Sequence, residues 1–326
     1  METDEIKEVY DLIIIGAGPT GINVGVEAQK AGLSYLIIEK GLLANSIFNF
    51  PANMTFFSTS KNLEIVDIPF ISHQDKPTRR EALEYYRRIV ESYQLRINFY
   101  EEVKSMSHNG ELKEIQTSKS SYQARNVVVA TGFYDTPRLL GVPGENLPKV
   151  KHYYDEAHPY LGQKVLVIGG ANSGCDVALE TWQKGAEVTM AIRKPDLYEK
   201  VKYWILPNIK NRIKEGSVKA HFNTIVKEIK EKSVVLENEE NGTFEIENDW
   251  VLAMTGYMPD YDLMERLQIP ISDDDLKLPL YNEETLESPI GNVYITGVLN
   301  AGMMTSKLFI ENTRHHAEVV IRNILN

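Results

Sequence analysis

A chain of α/β class, built as two Rossmann-like dinucleotide-binding units of three-layer ββα type, is predicted by two glycine-rich turns. GAGPTG at residues 16–21 and GGANSG at residues 169–174 each follow an apolar strand and open a helix. DLIIIG runs as a buried strand into Gly16, and KVLVIG does the same before Gly169. One such turn alone is weak evidence. The two lie 153 residues apart, and the same offset carries Gly32 onto Gly185, so AGLSYLIIEK and KGAEVTMAIRK fall into register as the second strand of each unit.

The first unit ends its second strand in Glu39, with Lys40 beside it, 23 residues after Gly16. A carboxylate there can accept both hydroxyls of an adenosine ribose. Glycines serving packing alone would not explain why this acid coincides with them. In the second unit the same offset puts Ile192 in that place, followed by Arg193 and Lys194. Loss of the acid removes repulsion of a 2′-phosphate, and the two cations attract it, so this unit is expected to take NADPH. Gly169 and Gly174 match the fingerprint, with Ala171 in place of its middle glycine, and Asn172 and Ser173 open the helix that faces the phosphates. Ser173 and Asp176 can also be read as a capping box, which leaves other N–H groups free. Two nucleotide sites of this kind suggest FAD held permanently and NADPH supplying hydride to it.

Along the chain, residues 10–15 read as strand, 19–30 as helix and 35–39 as strand. Residues 41–77 are irregular and rich in aromatic, Asn and Ser residues; a connection this long suggests a wall over the flavin, from Asn45, Phe48, Phe57 and Ser58, or a packed Ω-loop. Residues 81–93 form an amphipathic helix with Leu83, Tyr86, Val90 and Tyr93 on one face. Segments around Val103, at 112–117 and at 122–129, with a turn at Asn109-Gly110, predict a small antiparallel meander. The last of these delivers Ala130, Thr131 and Gly132, small residues where backbone runs past a dinucleotide, and Thr255 and Gly256 repeat the pattern in the second half. A Pro-rich hinge at 137–148 separates the halves. The chain is expected to return through NVYITGVLNAG at 292–302, carrying Gly297 and Val298, and then to run as a helix to Leu325 whose N-terminal dipole favours negative charge on a reduced flavin. The expected boundaries are 1–145 and 288–326 for the FAD domain and 146–287 for the inserted NADPH domain.

Composition narrows the partners. A net charge of −11 argues against nucleic acid or an anionic membrane. The acidic start METDEIKEVYD has no apolar stretch, so neither a secretory signal nor a membrane span is expected and the default compartment is cytoplasmic. The single cysteine, Cys175, excludes an internal disulfide, a CxxC pair and a cysteine metal cluster, and reads as a small buried residue. No Ser-His-Asp or HExxH pattern occurs, and the adjacent His315 and His316 cannot chelate from one helix face, so no metal is expected. The runs at 237–240 and 273–275 read as solvated turns.

These turns, the two ATG-like strands and the length resemble the low-molecular-weight thioredoxin reductases and their flavoprotein relatives. Over FNFPANMTFFSTSKNLEIVDIPFISHQDKPTRREALEYYR, VKYWILPNI, AMTGYMPD, LPLYNEETLES and LFIENTRHH the similarity is closer still, to the YpdA-type bacillithiol disulfide reductases, and it covers nearly the whole chain. The resemblance implies an enzyme that uses FAD and NADPH to reduce the disulfide of a low-molecular-weight thiol, as a homodimer or homotetramer. It implies FAD contacts at Gly16, Gly18, Pro19, Gly21, Glu39, Val103 (backbone, to adenine), Thr131 and Gly132, and NADPH contacts at Gly169, Asn172, Ser173, Gly174, Arg193 and Lys194. Two departures stand out. Val298 follows the glycine of the last FAD motif where the wider group has an Asp, as in this subfamily, and Thr20 occupies the place where many relatives carry a cysteine. Threonine cannot form a mixed disulfide, so no catalytic side chain is assigned. The competing readings are a flavin monooxygenase or NADPH oxidase, a thioredoxin reductase-like enzyme with another acceptor, and a nucleotide-sensing protein.

Overall fold

The run Leu12–Ile15 within β1 (Val9–Ile15) is almost wholly excluded from water, because the sheet it centres is covered on both faces. Each Leu or Ile so buried contributes roughly 1.5–3 kcal/mol. The computed structural model describes residues 8–326, so most of the acidic start lies outside the described residues. After β1 come α1 (Pro19–Lys30), β2 (Tyr35–Ile38), the short α2 (Asn45–Phe48) and α3 (Ser60–Leu63), α4 (Arg79–Tyr93), β3 (Ile97–Asn98), β4 (Val103–Asn109), β5 (Leu112–Thr117) and β6 (Ser121–Val129). The sheet order is β3-β2-β1-β6-β5-β4, parallel from β3 to β6 and antiparallel beyond. The predicted meander is β4, β5 and the first half of β6, and Gly110 makes its turn at φ +64°. Ile13, Ile15, Leu36 and Ile38 share a core with Met106 and Ile115 of that meander. On the other face α1 lies so close that a Cβ on Gly25 would stand 2.7 Å from the Ile37 side chain.

The second unit repeats this plan with β7 (Val150–Lys151), β8 (Lys164–Ile168), α5 (Asn172–Gln183), β9 (Glu187–Ala191), α6 (Leu206–Lys214), β10 (Lys219–His221), β11 (Thr224–Ile229), β12 (Ser233–Asn238), β13 (Gly242–Glu247) and β14 (Trp250–Ala253). Its sheet is β10-β9-β8-β14-β7, all parallel, beside the antiparallel β11-β12-β13. Leu166, Ile168, Val251 and Ala253 pack against Val226, Val234 and Leu236 of the meander, and Val165 and Val167 pack with α5. The meander was not anticipated: Glu237 and Asn238 belong to β12, while Glu239 and Glu240 form the expected turn.

By packing, the first unit comprises the chain up to Asn49, Asn53–Thr136 and Tyr257–Asn326, and the second Phe50–Ala52 and Pro137–Gly256. The boundaries read from sequence, 145/146 and 287/288, therefore shift. The return falls at Tyr257 because α7 (Tyr261–Arg266) and the turn after it bury Met264, Leu267 and Ile269 in the core of β1 and β6. The chain then adds β15 (Val293–Ile295), parallel to β6. The C-terminal helix is two pieces, α8 (Ile310–Thr313) and α9 (His316–Leu325), joined through Arg314 and His315, which keep right-handed helical backbone. In α4 the deepest side chains are Ala82, Tyr85, Tyr86 and Ile89; of the expected stripe only Tyr86 is fully buried.

Helix α4 starts at a capping box, with the Glu81 N–H donating to Thr78 Oγ1 at 3.3 Å and the Thr78 N–H donating to Glu81 Oε2 at 2.8 Å. Replacing Thr78 by Ala leaves the N3 donor without its cap, and urea unfolding should show a loss of about 1 kcal/mol that Thr78→Ser restores.

Candidate functional site

Two glycines let three backbones meet at the end of β1. Gly16 has φ +108°, and a Cβ on it would stand 2.7 Å from the Ala130 carbonyl oxygen; a Cβ on Gly21 would collide with the Gly16 carbonyl. Gly18 is the N-cap of α1 and supplies no side-chain cap, and Pro19 occupies the first turn. The helix N-terminus thus presents bare backbone with a favourable dipole, as a pyrophosphate requires.

Glu39 is buried. Its Oε2 accepts the Ala17 N–H at 2.7 Å and its Oε1 the Gly41 N–H at 2.8 Å. Burial pushes its carboxyl above the usual range, while those two N–H groups oppose the shift. Each oxygen keeps a lone pair for a ribose hydroxyl. Lys40 does not stand free: its Nζ pairs with Asp135 Oδ2 at 2.9 Å, and Asn45 Nδ2 reaches Asp135 Oδ1 at 3.4 Å. Asp135 closes the ATGFYD segment and was not singled out from sequence. Val103 opens β4 and is buried, next to a register shift in the ladder with β5. Thr131 and Gly132 follow β6, Gly132 at φ +67°.

Distant motifs converge here. Gly297 has φ +73°, and a Cβ on it would stand 2.7 Å from Thr20 Oγ1, while a Cβ on Gly132 would stand 3.7 Å from Val298 Cγ2. The Gly297 N–H donates to Nδ1 of His316 at 3.0 Å. His316 is buried, which holds its imidazole down to about 4, so at neutral pH it is uncharged and able to accept. A histidine beside Ala317 on the buried face of α9 was the signal available. Phe48 and Phe57 are exposed under the cations of Arg79 and Lys76, and Ser58 Oγ donates to Glu311 Oε1 at 2.5 Å.

The second turn closes the same way. Gly169 has φ +121°, with a Cβ placed 2.5 Å from the Met254 carbonyl oxygen, and a Cβ on Gly174 would collide with the Gly169 carbonyl. Ala171 is the N-cap of α5 and no side chain caps it, so the capping box of Ser173 and Asp176 is absent: Asp176 Oδ2 takes Lys202 Nζ at 2.9 Å. Asn172 Oδ1 accepts the Lys202 N–H at 2.9 Å, and Ser173 is exposed. Arg193 and Lys194 are exposed just beyond β9, and among the described residues neither forms an ion pair. Ile192 is buried at the position of the first unit's acid. Thr255 Oγ1 donates to the Arg138 carbonyl at 2.6 Å and the Gly256 carbonyl accepts the Arg138 N–H at 2.9 Å, so both hold the irregular segment at Arg138. Cys175 is fully buried, its thiol pushed up to about 12 by burial, and among the described residues no acid, His and Cys cluster could hold a metal.

Two uncapped helix ends bared by glycine, one with a ribose acid and one with cations, fit FAD and NADPH and define a flavin- and pyridine-nucleotide-dependent oxidoreductase. The pyridine nucleotide-disulphide oxidoreductase model matches residues 13–297, and the chain belongs to that family, in its YpdA-type bacillithiol disulfide reductase branch. It is 42% identical over 306 residues to the bacilliredoxin reductase Bdr of Bacillus subtilis, covering 93% of this chain and 94% of that one. The bacillithiol disulfide reductase Bdr (YpdA) of Staphylococcus aureus superposes with a TM-score of 0.94 at 41% identity over 98% of both chains. That of Bacillus cereus gives 0.94 at 40%, over 97% of this chain and 99% of its own. No helix among the described residues is long and apolar enough to cross a membrane.

Glu39→Lys removes the acceptors of two backbone N–H groups as well as those for the ribose, so this variant should purify without FAD; a yellow, stoichiometrically loaded protein would count against the cradle. His316 titrates lower folded than unfolded, so its contribution to stability is complete above about pH 6.5 and is lost as pH falls through about 4. Urea midpoints measured at pH 7 and pH 4.5 should fall less for His316→Gln than for the parent.

Proposed function

We propose that this chain reduces a low-molecular-weight disulfide of the bacillithiol disulfide kind with electrons from NADPH. The observation that carries the reading is the near-complete match, at 41% identity, to an enzyme named for that reaction, by a chain whose two nucleotide turns are intact. The net reaction takes disulfide, NADPH and a proton to two thiols and NADP⁺. The chemistry supplied by bound FAD is two-electron transfer between the nicotinamide and an oxidised acceptor.

The residues of the chain bind and orient. In this reading Gly16, Gly18, Pro19, Thr20 and Gly21 hold the FAD pyrophosphate at the end of α1, and Glu39 holds the adenosine ribose. Thr131, Gly132, Gly297 and Val298 line the same cofactor, and Val103 meets its adenine. Gly169, Ala171, Asn172, Ser173 and Gly174 take the NADPH pyrophosphate, and Arg193 and Lys194 its 2′-phosphate. Thr255 and Gly256 act on NADPH only through the backbone they brace. A cytoplasmic homodimer or homotetramer is the matching proposal for setting and assembly, the latter measured by sedimentation.

The test is NADPH oxidation followed against bacillithiol disulfide, a bacilliredoxin mixed disulfide, glutathione disulfide, cystine and quinones. Turnover confined to quinones would reject the reading. A charge-assisted bond from Arg193 contributes roughly 1.5–3 kcal/mol. Arg193→Ala should accordingly raise the KM for NADPH tenfold or more and leave that for NADH nearly unchanged. With one buried, protonated thiol the protein cannot form a disulfide of its own. Cys175→Ala should keep most of its turnover, and abolished turnover with both nucleotides still bound would make that thiol catalytic.

A further inference from the structure

VKYWILPNI, at 201–209, is a stretch that the proposed function leaves without a task. It continues a strap laid on the nucleotide turn of the second unit. Leu197 and Val201 are buried in the core that holds Cys175 and Ile192, and the Tyr198 N–H donates to the Gly170 carbonyl at 2.8 Å. Between these anchors and α6, one residue meets α5 twice. The Lys202 N–H donates to Asn172 Oδ1 at 2.9 Å, and its Nζ pairs with Asp176 Oδ2 at 2.9 Å. Asn172 and Asp176 stand four apart in α5 and so share one face at its start. The main-chain bond fixes where the lysine side chain begins, and the Trp204 ring, 5.8 Å from Nζ, flanks where it ends. With only 19% of the Lys202 side chain exposed, the ammonium is held at this place and does not trail into water.

The pairing answers a problem of charge. Ala171 is the N-cap of α5 and no side chain caps it, which leaves the first N–H groups and the positive end of the helix for an anion. A bare carboxylate at Asp176 would compete for that end and repel a phosphate brought to it. We propose that Lys202 is a positioning residue for NADPH: clamped to the nucleotide turn by its own main chain, it cancels the Asp176 carboxylate with its ammonium and keeps the end of α5 attractive to the pyrophosphate. Lys202 acts through Asp176 and not on the nucleotide, unlike Arg193 and Lys194, whose charges are exposed for the 2′-phosphate. This inference rests on the reading of the second unit as the NADPH site.

The experiment uses FAD-loaded, full-length protein: the parent, Lys202→Met, Lys202→Arg, Asp176→Asn and the double variant Lys202→Met with Asp176→Asn. Calorimetry gives NADP⁺ affinity, and steady-state rates give KM and kcat with NADPH and with NADH. Lys202→Met keeps the main-chain N–H and the apolar stem but leaves the acid unpaired. NADP⁺ should then bind about fivefold or more weakly, while kcat holds at saturating NADPH. The KM for NADH should rise by a similar factor, since both nucleotides carry the pyrophosphate. Raising salt from about 20 mM to about 500 mM should narrow the gap between parent and variant, because screening shortens the reach of the acid. Asp176→Asn should bind NADP⁺ at least as well as the parent, and Lys202→Arg and the double variant should return to within about twofold of it. Removing the acid as well would not mend a strap that had merely lost a structural contact. Unchanged affinity in Lys202→Met overturns the proposal. So does a loss that persists in the double variant, or one confined to NADP⁺ and NADPH, either of which would make Lys202 a direct phosphate ligand or a plain structural tie. Failure of the parent to bind NADP⁺, or full affinity in Arg193→Ala, would instead bring down the reading of the second unit, and the inference with it.

Discussion

The closest constraint in this protein is steric: at the end of the first strand of each unit, a glycine lets one backbone run against the carbonyl of another strand. At Gly16 the neighbour is Ala130, and at Gly169 it is Met254. A second glycine, Gly21 or Gly174, lets the helix begin against that same turn. Everything that binds depends on these approaches, because they bring a helix N-terminus to the carboxyl edge of a parallel sheet with no side chain in the way. A methyl group at any of the four would move backbone rather than a flexible side chain, and the displacement would pass straight into the anion cradle.

Around the first turn, charge is arranged to hold shape as well as ligand. Glu39 reaches two N–H groups on either side of its strand end, and Asp135 gathers Lys40 and Asn45. The neutral His316 fixes the Gly297 amide from the far end of the chain. Polar contacts therefore tie the end of the second strand to Asp135, 90 residues beyond Asn45, and separately fix the last glycine turn to the C-terminal helix.

What was legible in the sequence is what short-range chemistry writes there. The βαβ units were visible because a buried parallel strand must be apolar on both faces and its turn must be glycine. The first meander was visible through alternation and its Asn-Gly turn. The second, β11 to β13, carries the same signs, an Asn241-Gly242 turn and the alternation of residues 243–247, but the acidic run 237–240 reads by itself as a solvated turn and masks them. The return at Tyr257 was invisible because nothing local distinguishes Met264 and Leu267 from any other short helix; only the core they enter does. Within the site, Gly16 and Glu39 could be named from spacing, and Thr20 through the family resemblance. Asp135 and His316 could not, since their meaning lies in the partners that the fold brings to them.

Burial of Cys175 has a bearing on the conditions in which a disulfide reductase works. Its Sγ lies 3.8 Å from the Gly170 carbonyl and is held as a thiol by its surroundings. Peroxides, hypochlorite and electrophiles attack thiolates at accessible sites. A reductase with a surface dithiol is disarmed by the same oxidants that create its substrate, and needs rescue before it can act. This chain exposes no such target, so its capacity does not decline as oxidised thiols accumulate, and the limit on its rate under oxidative load passes to the supply of NADPH.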